Sequence, residues 1–261
     1  MATIDNDIYN RISRTWWEED GFMAILRTSL NPPRTAYFRE VLISRLRLLP
    51  DGLTVLDVGC GGGLLAEQFA ALGCRVTGVD PSEPSLAAAR VHAEQTGLSI
   101  RYLSGRGEAL PVADQSFDIV SCCDVFEHVE DLDAVLGEIS RVLKPGGVLL
   151  FDTINRTLRS KLMAIKLAQD WPLTRFIPAN VHVWDKFIRP VELRSRMQRL
   201  GLQGCDFTGL SSRGNPFSLA IALLRTKLGR LSFAELGKRL VLRESRDLSV
   251  SYMGFAVRSL G

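Results

Sequence analysis

Between Thr54 and Asp152 the chain alternates short apolar strands with helices, and this alternation limits the fold more than any other feature. Thr54-Val55-Leu56-Asp57-Val58 is a strand, and Leu65, Phe69 and Leu72 then recur at helical spacing. Arg75 to Asp80 is a second strand, and 81–97 a helix with Pro84 in its first turn. Ile100–Leu103 and Phe117–Cys122 are further strands, 131–143 is a helix, and Val148–Asp152 is a fifth strand. Units repeating at roughly 25 residues predict an α/β fold, a doubly wound parallel sheet covered on both faces. Right-handed crossovers place the C-terminal strand ends, with Asp57, Asp80 and Asp124, along one edge. Ligands of such sheets bind in the crevice outside that edge.

The flanks are less regular. Residues 5–48 read as helical, with a break at Asn31-Pro32-Pro33 and an end at the Leu49-Pro50-Asp51-Gly52 turn. Residues 190–200 form another helix, Gly204–Thr208 a strand, Leu219–Leu242 a basic amphipathic helical stretch and Leu248–Val257 a last strand. The expected division is 1–49 as an N-terminal helical segment, 50–155 as the core and 156–190 as a basic insertion. Residues 191–261 complete the sheet, with a helical insertion at 218–242.

Five cysteines without a Cys-x-x-Cys pair exclude a disulfide framework and a thiolate zinc site, and imply a reducing compartment. No signal peptide and no apolar run of the ~18 residues that span a bilayer is present, so a soluble cytoplasmic protein is expected. The net charge is +3, and no nucleic-acid partner is expected. Charge is unevenly spread. Ser104–Glu138 carries nine acids against Arg106 alone, whereas Arg156–Arg199 is strongly basic, with Asp170, Asp185 and Glu192 its only acids. The acidic stretch suits a cationic ligand or a metal, the basic one an anionic lipid or partner; either is otherwise a solvated face.

The loop Gly59-Cys60-Gly61-Gly62-Gly63 lets backbone approach a ligand at a helix N-terminus. A dinucleotide site wants Gly-x-Gly-x-x-Gly, but Leu64 stands where the third glycine belongs. Asp57, two residues before the loop, would also repel a pyrophosphate. It suits the ammonium of S-adenosylmethionine, which has no phosphate. Asp80 then accepts from ribose hydroxyls, and Glu108 or the Ala109 backbone binds adenine.

Five motifs resemble class I S-adenosylmethionine-dependent methyltransferases: Val55 through Gly63, Gly78-Val79-Asp80, Glu108-Ala109-Leu110-Pro111, Ser116-Phe117-Asp118 and Arg141-Val142-Leu143-Lys144-Pro145-Gly146-Gly147. The resemblance implies a Rossmann-like, mostly parallel seven-stranded sheet. Three further stretches are similar to the O-methyltransferases of ubiquinone biosynthesis, which act on polyprenylated catechol-type rings. They are Trp16-Trp17 with Leu30-Asn31-Pro32-Pro33-Arg34, then Asn155-Arg156-Thr157 through His182-x-Trp184-x-Lys186-Phe187, and Asn215-Pro216 with Ser251-Tyr252-Met253. By this resemblance Arg34 reaches the cofactor carboxylate and Cys123 lines the adenosyl pocket. The cofactor set is thus Arg34, Asp57, Gly59, Gly61, Asp80, Pro81, Glu108, Ala109 and Cys123.

The segment Asp124-Val125-Phe126-Glu127-His128 resembles the family's acid-x-x-Glu-His, which implies magnesium on Asp124, Glu127 and His128. A cation on adjacent ring oxygens would lower a phenol's pKa. His128 is alternatively the catalytic base, or Glu127-His128 only caps the helix at Asp131 and touches the cofactor. His182 is the second candidate base, with a structural role as its alternative, and His92 reads as a surface residue facing away from the crevice. The resemblance assigns the basic insertion to contact with an anionic membrane, the alternative being a lid. Leu219–Leu242 extends that surface or forms a homodimer helix. The chain departs from the family at Val183, at Asp124 and in the length of 218–242. The expectation is methyl transfer to a phenolic oxygen of a membrane-borne quinone precursor. The alternatives are a soluble aromatic or secondary-metabolite acceptor, and a cofactor-binding assembly protein without turnover.

Overall fold

A computed structural model describes residues 4–212 and 214–260. After a short helix α1 (Ile8–Arg11), residues Leu26–Leu30, α2 (Asn31–Glu40) and Val41–Arg45 run on as one helical rod. The expected break at Asn31-Pro32-Pro33 does not occur. The prolines occupy the first turn of α2, and the turn before them is widened, so that Asn31 N–H reaches back five residues to the Leu26 carbonyl. A proline ring clashes with the carbonyl four residues earlier and has no N–H to donate; a wider turn absorbs both faults.

The strands β1 (Thr54–Val58), β2 (Arg75–Asp80), β3 (Ile100–Ser104), β4 (Phe117–Cys122), β5 (Leu143–Ile154), β6 (Leu202–Ser212), β7 (Leu242–Ser245) and β8 (Ser251–Arg258) form one sheet in the order β3-β2-β1-β4-β5-β8-β6-β7. β1 to β5 are mutually parallel, whereas β8 lies antiparallel between β5 and β6. The sheet has eight strands, one more than expected. The extra one, β7, pairs Leu242–Ser245 with Gly209–Ser212, an extension of β6 beyond the strand read from Gly204 to Thr208.

Side chains alternate across the sheet. Val55, Val76, Ile119 and Leu150 face α2, α3 (Ala66–Ala71) and α4 (Glu83–Gln95), while Leu56, Val120, Leu149 and Phe151 face α5 (Leu132–Val142). This period of two is what buries both faces of a central strand. A Thr157–Ser160 capping box opens α6 (Leu158–Ser160), which continues through Lys161–Asp170. α7 (Pro190–Arg199) packs Leu193 and Met197 beside α5. The stretch expected as one helix divides into α8 (Pro216–Lys227) and α9 (Phe233–Arg239), separated by Gly229 at φ +65°. Ala222 of α8, Leu231 of the link and Leu236 of α9 form a small core with Ile25. Among the described residues no helix is long and apolar enough to cross a membrane.

Strand order reverses at β1, which has β2 on one side and β4 on the other, with Asp57 opposite Ser121 and Val58 opposite Cys122. The crevice outside these strand ends is the topological position for a ligand.

Candidate active site

The glycine loop is drawn back onto β2: Gly59 N and Cys60 N donate to the Val79 carbonyl at 2.8 and 3.1 Å. Gly61, at φ +49°, donates its N–H to Asp80 Oδ2 at 2.9 Å, and Ser82 N donates to Oδ1 at 2.8 Å. Burial raises the Asp80 carboxyl above its ordinary pKa. Trp16 lies over the loop; a Cβ on Gly61 would stand 2.5 Å from its ring. The indole donates to Ser85 Oγ at 3.0 Å, and Trp17 donates to the Gly62 carbonyl at 2.9 Å. Trp17 in turn stacks on His92 at 3.4 Å, and His92 Nδ1 lies 2.7 Å from Glu67 Oε1. His92 is therefore not a bystander on the outer face. The N-terminal strap folds over α4 and finds it there.

Asp57 is buried, with Ser121 Oγ donating to Oδ1, the Ala66 backbone near the carboxylate and, among the described residues, no hydrogen-bond partner for Oδ2. Burial pushes this carboxyl up to about 7, against the opposing effects of Ser121 and Arg34. Arg34, also buried, donates to Asn31 Oδ1 at 3.0 Å and to Asp124 Oδ2 at 2.5 Å, and its Nε pairs with Asp152. Burial disfavours the guanidinium charge, but Asp124 and Asp152 hold it protonated. Asp152 also accepts from Asp124 N at 2.9 Å.

Glu108 sits half-buried at the rim, where Oε1 accepts from Glu130 N at 3.3 Å; Ala109 and Pro81 are exposed. Cys123 is buried among the residues of the α2 face, and burial raises its thiol pKa well above the ordinary value.

A second group meets beside Asp57 and Arg34. Glu127 is 2% exposed; Thr153 Oγ1 donates to Oε2 at 2.7 Å, and Oε1 is unpartnered. His128 and His182 bring their rings to 5.4 Å, each with a buried, unpartnered Nδ1. Burial and the neighbouring His182 hold His128 down to about 3, and burial holds His182 down to about 4. Both imidazoles are neutral at physiological pH. Tyr9 Oη lies 3.5 Å from His128 Nε2, and burial keeps that phenol protonated. Gln169 fixes the His182 backbone on both sides, accepting from its N–H at 2.9 Å and donating to its carbonyl at 3.2 Å. Glu127-His128 is not the cap of α5: Asp131 caps it, accepting from Ala134 N at 3.0 Å.

Residues 56–151 match the family described as a methyltransferase domain. The ubiquinone biosynthesis O-methyltransferase of Brucella anthropi is 38% identical over 209 residues, 78% of this chain and 83% of that one. That of Rhizobium johnstonii is 36% identical over 226 residues, 83% and 89% of the two chains. The chain belongs to this methyltransferase family. Solved structures show the same fold at low identity. Phosphoethanolamine N-methyltransferase 2 of Haemonchus contortus aligns with 95% of this chain and 59% of its own, at a TM-score of 0.62 and 20% identity. A S-adenosylmethionine-dependent methyltransferase of Thermotoga maritima aligns with 91% and 100%, at a TM-score of 0.53 and 20% identity.

As a member of this family, the enzyme takes its methyl group from S-adenosylmethionine. The residues fit that group: the free oxygen of Asp57 is a buried acceptor for an ammonium, and Gly61 and Asp80 lie together on the same edge. They fit magnesium poorly. Arg34 holds one oxygen of Asp124, and the ligand atoms that do converge belong to Glu127, His128 and His182. Magnesium wants oxygen ligands in near-octahedral array, and two imidazole nitrogens do not supply them.

Sequence reasoning missed Tyr9, Ser121, Asp152 and Gln169. Asp152 carried a usable signal, an acid near the end of the fifth strand and so on the ligand-binding edge. Tyr9 carried none, since it reaches His128 only through the path of the strap.

Proposed function

We propose that the enzyme methylates a phenolic or catechol hydroxyl of a polyprenylated quinone precursor. The observation that carries this reading is the adjacency of two polar groups at one strand edge. Asp57 offers a buried carboxylate for the donor's ammonium, and His128 and His182 offer neutral nitrogens for the acceptor. The acceptor hydroxyl gives its proton to an imidazole nitrogen as its oxygen attacks the donor methyl. The O–CH3 bond forms as the S–CH3 bond breaks, and the sulfonium leaves as the neutral thioether S-adenosylhomocysteine. A phenol titrates near 10, far above these imidazoles, so the proton moves in the transition state and not before it. Alignment of oxygen, methyl and sulfur is then the larger part of the catalysis.

Two exposed apolar surfaces support a membrane-borne acceptor. The insertion presents Leu158, Leu162, Met163, Trp171 and Leu173 among Arg159, Lys161, Lys166 and Arg175. On α8, Phe217, Ile221, Leu224 and Leu228 form an outward stripe at helical spacing beside Arg225 and Lys227, and Lys227 Nζ donates to the Pro172 carbonyl of the insertion. Apolar burial combined with basic charge is how such elements lie on anionic bilayers.

The test is incubation with labelled donor and a panel of catechols, prenylated in anionic vesicles and unprenylated in solution. Preferential transfer to the prenylated catechols is expected. Transfer confined to soluble rings would replace this acceptor with a small aromatic one, and no transfer to either panel would overturn the reading.

A further inference from the structure

We infer that Glu127, His128 and His182 form a binding site for a divalent transition cation of the zinc class, in place of a magnesium site built on Asp124. Each of the three side chains offers a ligand atom, and the three atoms lie within 4.8 Å of one another. Each residue also carries a buried atom with no hydrogen-bond partner among the described residues: Glu127 Oε1, His128 Nδ1 and His182 Nδ1. One orphaned polar atom in an interior calls for an explanation, and a cation held between these three side chains, which come from two distant stretches of chain, would give all three the same one.

The surroundings suit that role. A carboxylate that ligates a metal is normally held by a second hydrogen bond, and Thr153 supplies it to the other oxygen of Glu127. A ligating histidine presents its far nitrogen to a polar group, and Tyr9 Oη stands by His128 Nε2. Gln169 anchors the backbone of His182. Arg34 holds Oδ2 of Asp124, and Asp124 is not among the side chains that converge, which leaves one carboxylate oxygen and two nitrogens. Such a donor set selects borderline transition cations over magnesium, and three protein ligands leave a coordination position open.

The site deepens the proposed function and changes how the same imidazoles act. A catechol oxygen at the open position would ionise against the cation, its proton passing to water, without a free imidazole accepting it. The site also ties His182 of the insertion to the loop after β4, so loading should order the insertion.

The experiment uses the full chain stripped with chelator, titrated with Co2+ in the absence of donor and acceptor. Stoichiometric binding with intense visible d–d absorption is expected, displaced by equimolar Zn2+ and not by millimolar Mg2+. H182Q and E127Q should each weaken Co2+ binding by about 100-fold or more, as loss of a ligand exceeds loss of an outer partner. Their metal-free melting curves would show that the fold persists. A spectrum no different from free Co2+, undiminished binding in both variants, or displacement by Mg2+ would overturn the site. Because the readout needs no methyl transfer, a failed acceptor panel with an intact Co2+ spectrum would sink the substrate reading alone, and the reverse pattern the metal alone.

Discussion

Arg34 Nη2 meets Asp124 Oδ2 at 2.5 Å, and this contact divides the acidic cleft into two parts with separate tasks. On one side Arg34 pairs with both Asp124 and Asp152; on the other Asp57 and Glu127 keep an unpartnered oxygen each. The second pair has the buried free atoms to offer a ligand.

Removing the guanidinium should therefore damage the fold before it damages the chemistry. Arg34→Met leaves the buried Asp152 unpaired beside the partly exposed Asp124, and breaking a buried pair in this way costs about 3–5 kcal/mol. Urea denaturation should show that loss. Arg34→Met with unchanged stability would mean that Asp124 and Asp152 do not depend on the arginine.

Asp57→Asn keeps the shape and an acceptor for Ser121 but removes the charge. The donor's ammonium would lose a charge-assisted hydrogen bond of about 2 kcal/mol, roughly 30-fold in affinity. Calorimetry with S-adenosylhomocysteine measures this directly. Equal affinity in wild type and variant would move the ammonium elsewhere.

Acidity should act in opposite senses on the free and the liganded protein. Asp57 and Asp152 titrate near 7 in the fold because burial disfavours their charge, against an ordinary value of 3.8. Between those values these two carboxyls bind more protons in the folded chain than in the unfolded one and make stability fall as pH rises. His128 and His182, held down to about 3 and 4, bind fewer and make it rise up to about 6.5, so the net fall is expected from about 6.5 upward through about 7. Asp118 and Glu138, held low by Lys144 and Arg141, oppose this only at the acidic end, where their protonation destabilises the fold. Donor binding needs ionised Asp57, so affinity should rise over the same window. Urea melts at pH 6.5 and 7.5, with and without S-adenosylhomocysteine, would give the two slopes; parallel slopes would contradict the assignment.

Gly61→Ala should lock out the strap. The new methyl would stand 2.5 Å from the Trp16 ring at a backbone φ of +49°, a strain of about 1–3 kcal/mol. Weaker donor binding together with a loss of Trp16 fluorescence burial is the expected result. A variant with wild-type affinity would show that Trp16 moves aside whenever donor binds.

On α8, Phe217→Ser with Leu224→Ser should lower flotation on anionic vesicles while leaving transfer to soluble catechol intact, because neither side chain reaches the core. Flotation equal to wild type would remove α8 from the membrane contact.

The alternation of strand and helix from Thr54 onward determined the fold, because burial of both sheet faces needs period-two strands and right-handed crossovers whatever the loops do. It also brought Asp57, Asp80 and the glycine loop to one edge, since each sits at a strand end whose direction the crossovers dictate. The eighth strand was not legible: Leu242–Ser245 carries no strand pattern of its own and pairs only because β6 runs on to Ser212. The proposed metal ligands show the same limit. The spacing of Asp124, Glu127 and His128 along the chain suggested a set of three, but spacing cannot tell which carboxylate an arginine from α2 will occupy. Only the packing of the helical rod against β4 and β5 put Arg34 on Asp124, and only the return of the insertion put His182 beside His128. Local pattern decides strands and turns because their energetics are local. Which charged and polar side chains share a burial site depends on contacts between distant segments, and those exist only once the chain has folded.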